Sequence, residues 1–182
     1  MLVAKKVADL ITAFRSLFAF WFAWLGWDQG ALGLPLAVWS LIAAWTGDAL
    51  DGPIARRSQE FDQTWWGDHD LEVDIAVSVG LMVYMLQSGY LGLGVAAAYL
   101  LIWVLILWHW GFHRSLGMLI QAPIYLWFVW ISITRVPYAG WWLVVWIGAA
   151  VLLTWPRFPQ EVVPGFLKGM QNVWEGYNRS RE

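Results

Sequence analysis

The chain has 182 residues, of which 60% are hydrophobic and only 13% are charged, and its mean hydropathy is +0.55. Soluble globular domains carry about 25% charged residues, so this composition indicates an integral membrane protein. The net charge of -2 without a basic cluster excludes a nucleic-acid surface, and the absence of cysteine excludes disulfides and thiolate metal ligands.

The N-terminal segment combines an amphipathic stretch with the first apolar run. Apolar side chains in residues 1–14 fall on one helical stripe, which predicts an N-terminal helix lying in the membrane interface. Residues 10–27 form the first predicted span, provided that Arg15 snorkels to the surface. No small-residue cleavage site follows this run, so we expect the segment to be retained.

Uncharged runs in the rest of the chain predict five further spans, since a span needs about 20 apolar residues. The run 75–113 is long enough for two, and residues 87–89 (Gln-Ser-Gly) form the turn between them. Residues 163–177 are amphipathic, and we expect them to lie on the membrane surface. The sequence thus predicts a single all-α domain over 1–182, with six transmembrane helices at 10–27, 32–50, 71–87, 91–109, 117–133 and 139–155.

The distribution of positive charge predicts the orientation of these spans. Six spans place both termini and the loops around residues 51–70 and 110–116 on one side. Ten of the 11 Lys and Arg residues fall on that side, and Arg135 falls on the other. Because positive residues concentrate on the cytoplasmic side, we expect a multi-pass protein of the cytoplasmic (inner) membrane, with its termini and its acidic gap in the cytoplasm.

Four aspartates flank the polar gap between the second and third spans. Asp48 and Asp51 are spaced i, i+3, whereas Asp70 and Asp74 are spaced i, i+4, so each pair projects from one helical face. A carboxylate near hydrocarbon is costly unless it is paired, hydrated or bound to a cation. Four converging carboxylates therefore predict a metal site, and ligation by oxygen alone favours Mg²⁺ or Mn²⁺, as two ions.

A simpler interpretation treats these acids as ordinary loop charges. The first pair would cap a loop, and the second pair would form solvated ion pairs with Arg56 and Arg57. The offsets of the neighbouring residues favour the metal site instead. Gly52 and Ala55 keep one helical face open to a bulky ligand, and the planar fork of Arg56 can hold phosphate oxygens.

The residues around the gap resemble the signature of the CDP-alcohol phosphotransferases, D-x2-D-G-x2-A-R followed by G-x3-D-x3-D. The matching residues are Asp48, Asp51, Gly52, Ala55, Arg56, Asp70 and Asp74. The start of the first helix, Leu10-Ile11-Thr12-x2-Arg15, is less specifically similar. One glycine departs from the pattern, because Trp66 stands at its position and Gly67 lies one residue later.

The resemblance implies a homodimeric membrane enzyme of phospholipid biosynthesis. Such an enzyme transfers a phosphatidyl group, a substituted phosphoryl group, from a CDP-linked lipid to the hydroxyl of a polar alcohol and releases CMP. The lipid setting favours CDP-diacylglycerol as the donor. The resemblance assigns metal binding to Asp48, Asp51, Asp70 and Asp74, general-base catalysis to Asp74, and donor binding to Gly52, Ala55, Arg56 and Gly67.

A phosphorylated acceptor would need further cations near the site. Arg114 and Arg157 lie on the correct side, although each has the alternative role of setting the topology. Paired aspartates also suit a membrane prenyltransferase that uses a prenyl diphosphate, or a non-enzymatic divalent-cation transporter. A transport path would place its acids near the bilayer midplane rather than at span ends. A relative without activity, retained as a scaffold, is a further alternative suggested by the displaced glycine.

Overall fold

The computed structural model describes residues 2–56, 69–156 and 158–179. Within these ranges the chain forms helices and no strand, which confirms the all-α prediction. A 3-10 turn, Gly30–Gly33, joins the first two helices, and a π-helical segment, Phe158–Val162, precedes the last. The α-helices are α1 (Leu2–Gln29), α2 (Leu34–Arg56), α3 (Asp70–Gln87), α4 (Leu93–Trp110), α5 (Arg114–Arg135), α6 (Pro137–Leu153) and α7 (Val163–Arg179).

Each of the six predicted spans corresponds to one of the helices α1–α6. The largest difference is at the N-terminus, where α1 begins at Leu2 and continues without a break to Gln29. The amphipathic stretch and the first apolar run are therefore parts of one helix. Whether the beginning of α1 lies in the membrane interface stays a prediction.

Among the residues that the structure describes, three helical segments are long and apolar enough to cross a membrane, namely Asp9–Leu50, Leu93–Trp110 and Arg114–Arg135. The first of these begins within α1, includes the 3-10 turn and ends within α2, and α1 packs against α2. The helix α3 carries three acids, Asp70, Glu72 and Asp74, and α6 is apolar but only 17 residues long. These helices are compatible with a membrane protein.

The core of the bundle lies between α1, α2, α3, α5 and α6. The helix α1 packs most extensively against α3 and also against α2, while α5 contacts α3 and α6. Each of the five helices contributes fully buried side chains, including Phe22, Leu25, Leu41, Leu81, Tyr84, Phe128 and Leu143. The helix α4 is peripheral, since Ala96 and Trp103 are its buried residues.

Two turns meet at one end of the bundle. The hydroxyls of Tyr84 and Tyr90 donate hydrogen bonds to the backbone carbonyls of Gly30 and Ala31, at 3.1 and 3.3 Å. These bonds tie the α3–α4 connection to the α1–α2 turn. The opposite end contains the last turns of α2 and the first turn of α3, and therefore the predicted acidic site.

Gly80 allows α1 and α3 to approach each other closely. A Cβ added at Gly80 would lie 2.6 Å from the Cα of Ala19, a backbone atom of α1. Backbone atoms cannot move aside as the end of a flexible side chain can. The two helices would therefore have to separate to accept a larger residue at this position.

We expect Gly80→Ala to destabilise the protein by about 1–3 kcal/mol, because overpacking forces backbone shifts. Gly148→Ala is the matched control, since Gly148 also lies inside a helix and a Cβ there would meet nothing within 4 Å. The helix propensity of alanine should leave the control as stable as the parent or slightly more so. Thermal unfolding in detergent measures both variants, and equal losses would contradict the close contact.

Candidate functional site

Three of the four aspartates predicted to bind metal converge where α2 ends and α3 begins. Asp48 lies in the second half of α2, Asp70 is the first residue of α3, and Asp74 follows one helical turn later. One carboxylate oxygen from each lies within 4.8 Å of the others. The structure thus brings together three acids that are up to 26 residues apart in sequence. Asp70 and Asp74 lie on one side of their helix, as the i, i+4 spacing predicts.

The remaining predicted residues are described in part or not at all. Residues 51–56 continue α2, so the backbones of Asp51, Gly52, Ala55 and Arg56 follow Asp48 along the same helix. Their side chains lie outside the described part of the structure, as do Gly67 and Arg157 altogether. The sites proposed for these residues stay predictions.

A buried arginine from α1 lies among the three carboxylates. The Nη2 atom of Arg15 is 2.8 Å from Oδ1 of Asp48 and also donates to Oδ1 of Asp74, and Nη1 donates to Oδ1 of Asp70 at 3.0 Å. The Arg15 side chain is 4% exposed, whereas those of Asp48, Asp70 and Asp74 are 43%, 36% and 29% exposed. The cluster therefore contains its own counter-cation, and the carboxylates keep an open side.

The expectation that Arg15 snorkels to the surface is wrong. A cation within an apolar helix needs acceptors, and the three carboxylates supply them inside the bundle. Asp70 and Asp74 accordingly pair with Arg15. The simpler interpretation instead predicts solvated ion pairs of these two acids with Arg56 and Arg57. The sequence carried one signal of this role, since Arg15 is the lone charged residue between residues 10 and 27.

Gly47 provides the room that Arg15 needs to reach the acids. A Cβ added at Gly47 would lie 3.3 Å from both Cγ and Cδ of Arg15, closer than ordinary van der Waals contact. Gly47 directly precedes Asp48, so the arginine stem crosses α2 beside the acid that it pairs with. A small residue at this position allows the ion pair to form between closely packed helices.

Aromatic rings lie beneath the acids, on the side of the core. Trp45 of α2 packs against Tyr125 of α5 and Trp146 of α6, with ring centroids 5.2 and 5.4 Å apart. The Tyr125 hydroxyl lies 3.5 Å from the backbone carbonyl oxygen of Asp74. This apolar floor limits access by water from the core side and leaves the acids open toward the end of the bundle.

A cavity of about 260 Å³ opens beside the acids, between α3 and α5. Its lining combines charged, polar and apolar side chains: Asp70, Leu71, Asp74, Arg114, Met118, Gln121, Ala122 and Tyr125. Gln121 is buried, and its amide nitrogen donates to the backbone carbonyl of Gly117 at 3.1 Å. The cavity thus places Arg114, predicted to bind the acceptor, beside two of the predicted metal ligands.

Sequence reasoning missed Gln121 and Tyr125 as lining residues. Both are uncharged residues within an apolar run, and no motif or spacing distinguishes them from other residues of that run. Their position beside Asp74 depends on how α5 packs against α3. A pattern within one helix carries no information on that contact.

The oxygen atoms of the three carboxylates suit a hard divalent cation as metal ligands. Carboxylate oxygens are the ligands that Mg²⁺ and Mn²⁺ prefer, and three carboxylates lie close enough to share one ion. The single guanidinium of Arg15 offsets one of the three negative charges. Asp48, Asp70 and Asp74 could therefore hold a divalent cation whose charge matches the remainder.

We expect Mn²⁺ and Mg²⁺ to raise the thermal stability of the protein, because an ion that binds the folded cluster stabilises it. At about 100 times the dissociation constant the gain is about 2.7 kcal/mol. Asp70→Asn should abolish the gain, and Asp28→Asn, which changes an exposed acid in the last turn of α1, should keep it. Thermal unfolding with each metal chloride or with EDTA, at constant ionic strength, is the measurement. An equal gain in all three proteins would contradict a site at this cluster.

Comparisons of the chain with protein-family models, with curated proteins and with solved structures find no match. The similarity to the CDP-alcohol phosphotransferases therefore rests on the motif residues themselves.

Proposed function

We propose that this chain is a CDP-alcohol phosphatidyltransferase. It transfers a phosphatidyl group from a CDP-linked lipid, CDP-diacylglycerol, to the hydroxyl of a polar alcohol and releases CMP. One observation carries the proposal: Asp48, Asp70 and Asp74 lie within 4.8 Å of one another at the adjoining ends of α2 and α3. Asp48 belongs to the motif D-x2-D-G-x2-A-R, and Asp70 and Asp74 belong to the motif D-x3-D. The two motifs can act as one site only if these acids lie close together.

The proposed enzyme crosses the membrane six times, through α1–α6, with its acidic site on the cytoplasmic side. The turns at Gly30–Gly33 and after Gln87 lie together at one end, and the acids lie at the other. An acidic site at one end of the bundle is open to polar substrates, and a lipid donor can reach it sideways from the bilayer. The excess of Lys and Arg on the acidic side supports a cytoplasmic location.

The proposed reaction joins the acceptor oxygen to the phosphorus of the phosphatidyl group. The bond from that phosphorus to the oxygen of CMP breaks as the new bond forms, and the hydroxyl proton passes to a carboxylate. We assign this proton transfer to Asp74, and the assignment is supported by the position of its side chain, which lines the cavity beside Asp70. Divalent cations bound at the acids would offset the charge of the donor diphosphate and stabilise the departing phosphate.

The two substrates would approach the acids from different sides. The cavity of about 260 Å³ has room for a small polar molecule but not for a complete CDP-linked lipid. We assign this cavity to the acceptor alcohol. The donor nucleotide would lie along the end of α2, where Gly52, Ala55 and Arg56 follow Asp48.

The central experiment incubates the purified protein with CDP-diacylglycerol labelled in the lipid, Mg²⁺ and a panel of polyols, amino alcohols and their phosphates. We expect CMP and one new phospholipid in equal amounts, dependent on both metal and acceptor. Release of diphosphate from a prenyl substrate would favour the prenyltransferase. Metal flux into vesicles without nucleotide would favour the transporter.

Asp74→Asn is expected to lower turnover by about a hundredfold or more, because the amide cannot accept the hydroxyl proton. Binding of CDP in the presence of Mg²⁺ should largely survive, since Asp48 and Asp70 remain. Asp28→Asn serves as the control and should keep full turnover. Normal turnover by purified Asp74→Asn protein would overturn the assignment of the base.

Arg114→Gln is expected to raise the KM for a phosphorylated acceptor about tenfold or more, because a charge-assisted hydrogen bond to the phosphate is lost. The KM for CDP-diacylglycerol should not change, since the donor is assigned to the end of α2. Arg135→Gln, which changes an exposed arginine at the other end of α5, is the control. Steady-state kinetics with each substrate varied in turn measures both constants. An unchanged acceptor KM would remove Arg114 from the acceptor site.

A further inference from the structure

We infer that Arg15 is the resident counter-cation of the acidic site, a positioning residue that a divalent cation must partly displace in order to bind. The inference rests on the proposed metal-dependent function and adds a residue that the motif pairs do not include. Its basis is that Arg15 contacts Asp48, Asp70 and Asp74 at once and is almost fully buried.

The guanidinium and a metal ion would compete for the same oxygens. The Nη2 atom of Arg15 contacts Oδ1 of Asp48 on α2 and Oδ1 of Asp74 on α3. An ion bound by these two oxygens would compete with Nη2 for them. The acids can bind such an ion through these oxygens only if the guanidinium gives up at least one contact.

Arg15 would have two opposite effects on the site. It holds the three carboxylates together when no metal is bound, because it offsets their mutual repulsion. It also weakens metal binding, because its positive charge repels the incoming cation. If holding the carboxylates together is its main role, loss of Arg15 should weaken metal binding. If competition with the ion is its main role, loss of Arg15 should strengthen metal binding, so the sign of the change separates the two roles.

The charge balance explains why the site attracts a divalent cation although Arg15 already contacts the acids. The three carboxylates carry two more negative charges than Arg15 can offset, and each remains 29% to 43% exposed. The open side of the acids gives a cation access from the end of the bundle. Arg15 reaches them from the opposite direction, past Gly47.

The test measures binding of Mn²⁺ alone to the purified full-length protein in detergent, by calorimetry and by electron paramagnetic resonance. We expect Arg15→Gln to lower the Mn²⁺ dissociation constant about tenfold or more, since one like charge leaves the site. The metal-free variant should also unfold at a lower temperature, and Mn²⁺ should restore its stability. Arg15→Lys keeps the charge and should bind Mn²⁺ almost as the parent does, and Arg135→Gln should not change either property.

A second variant keeps the test decisive if Arg15→Gln does not fold. Gly47→Ala places a Cβ 3.3 Å from the Arg15 stem and should push the guanidinium away from Asp48 without removing its charge from the protein. We expect a smaller decrease in the Mn²⁺ dissociation constant, in the same direction. Unchanged or weaker Mn²⁺ binding in the folded variants would overturn the competing role of Arg15.

The outcomes also separate this inference from the proposed function. If the parent binds Mn²⁺ and makes the phospholipid but Arg15→Gln binds Mn²⁺ no more tightly, the inference fails and the function stands. If Arg15 controls Mn²⁺ affinity but no phospholipid forms, the inference stands and the transferase activity fails. If neither the parent nor any variant binds Mn²⁺, the metal site and the inference are both overturned.

Discussion

Repulsion among carboxylates is the constraint on which the arrangement of the first three helices depends. Asp48, Asp70 and Asp74 come from two helices and lie at the edge of an apolar bundle. Like charges at such distances oppose the approach of these parts of α2 and α3, and α1 supplies the guanidinium that offsets this repulsion. Without Arg15 the three carboxylates would face one another with no guanidinium between them, so the charged cluster and the packing of α1 stabilise each other.

Small residues allow the close helix packing that holds Arg15 beside the carboxylates. Apolar helices in a membrane gain little from burying apolar surface and associate through close packing, which favours glycine at their interfaces. Gly80 contacts Ala19, one helical turn after Arg15, while Gly47 lies directly beside the arginine stem. Both contacts fix the position of α1 along its neighbours. The same positions that pack the helices therefore determine which oxygens Arg15 can reach.

The sequence predicted what depends on one helix at a time. Uncharged runs located α1–α6, and the i, i+4 spacing placed Asp70 and Asp74 on one face of α3. The direction of Arg15 was missed, because a lone cation in an apolar run can either extend to the surface or turn toward acids, and only the packing of α1 decides. Gln121 and Tyr125 were missed for the same reason, since their role depends on the contact between α3 and α5.

The residues of the site come from two kinds of helix: α2 and α3 carry the aspartate motifs, and α5 carries neither motif. On the proposed function, α2 and α3 supply the acids that every substrate pair would need for the transfer itself. The side of the cavity formed by α5 supplies Arg114 and Gln121. Neither residue belongs to the two aspartate motifs. An acceptor alcohol in this cavity would touch the acids at its reacting hydroxyl and α5 at its remaining groups. The choice of acceptor would therefore depend on α5, and this is why the motif residues predict a reaction class but leave the acceptor unnamed.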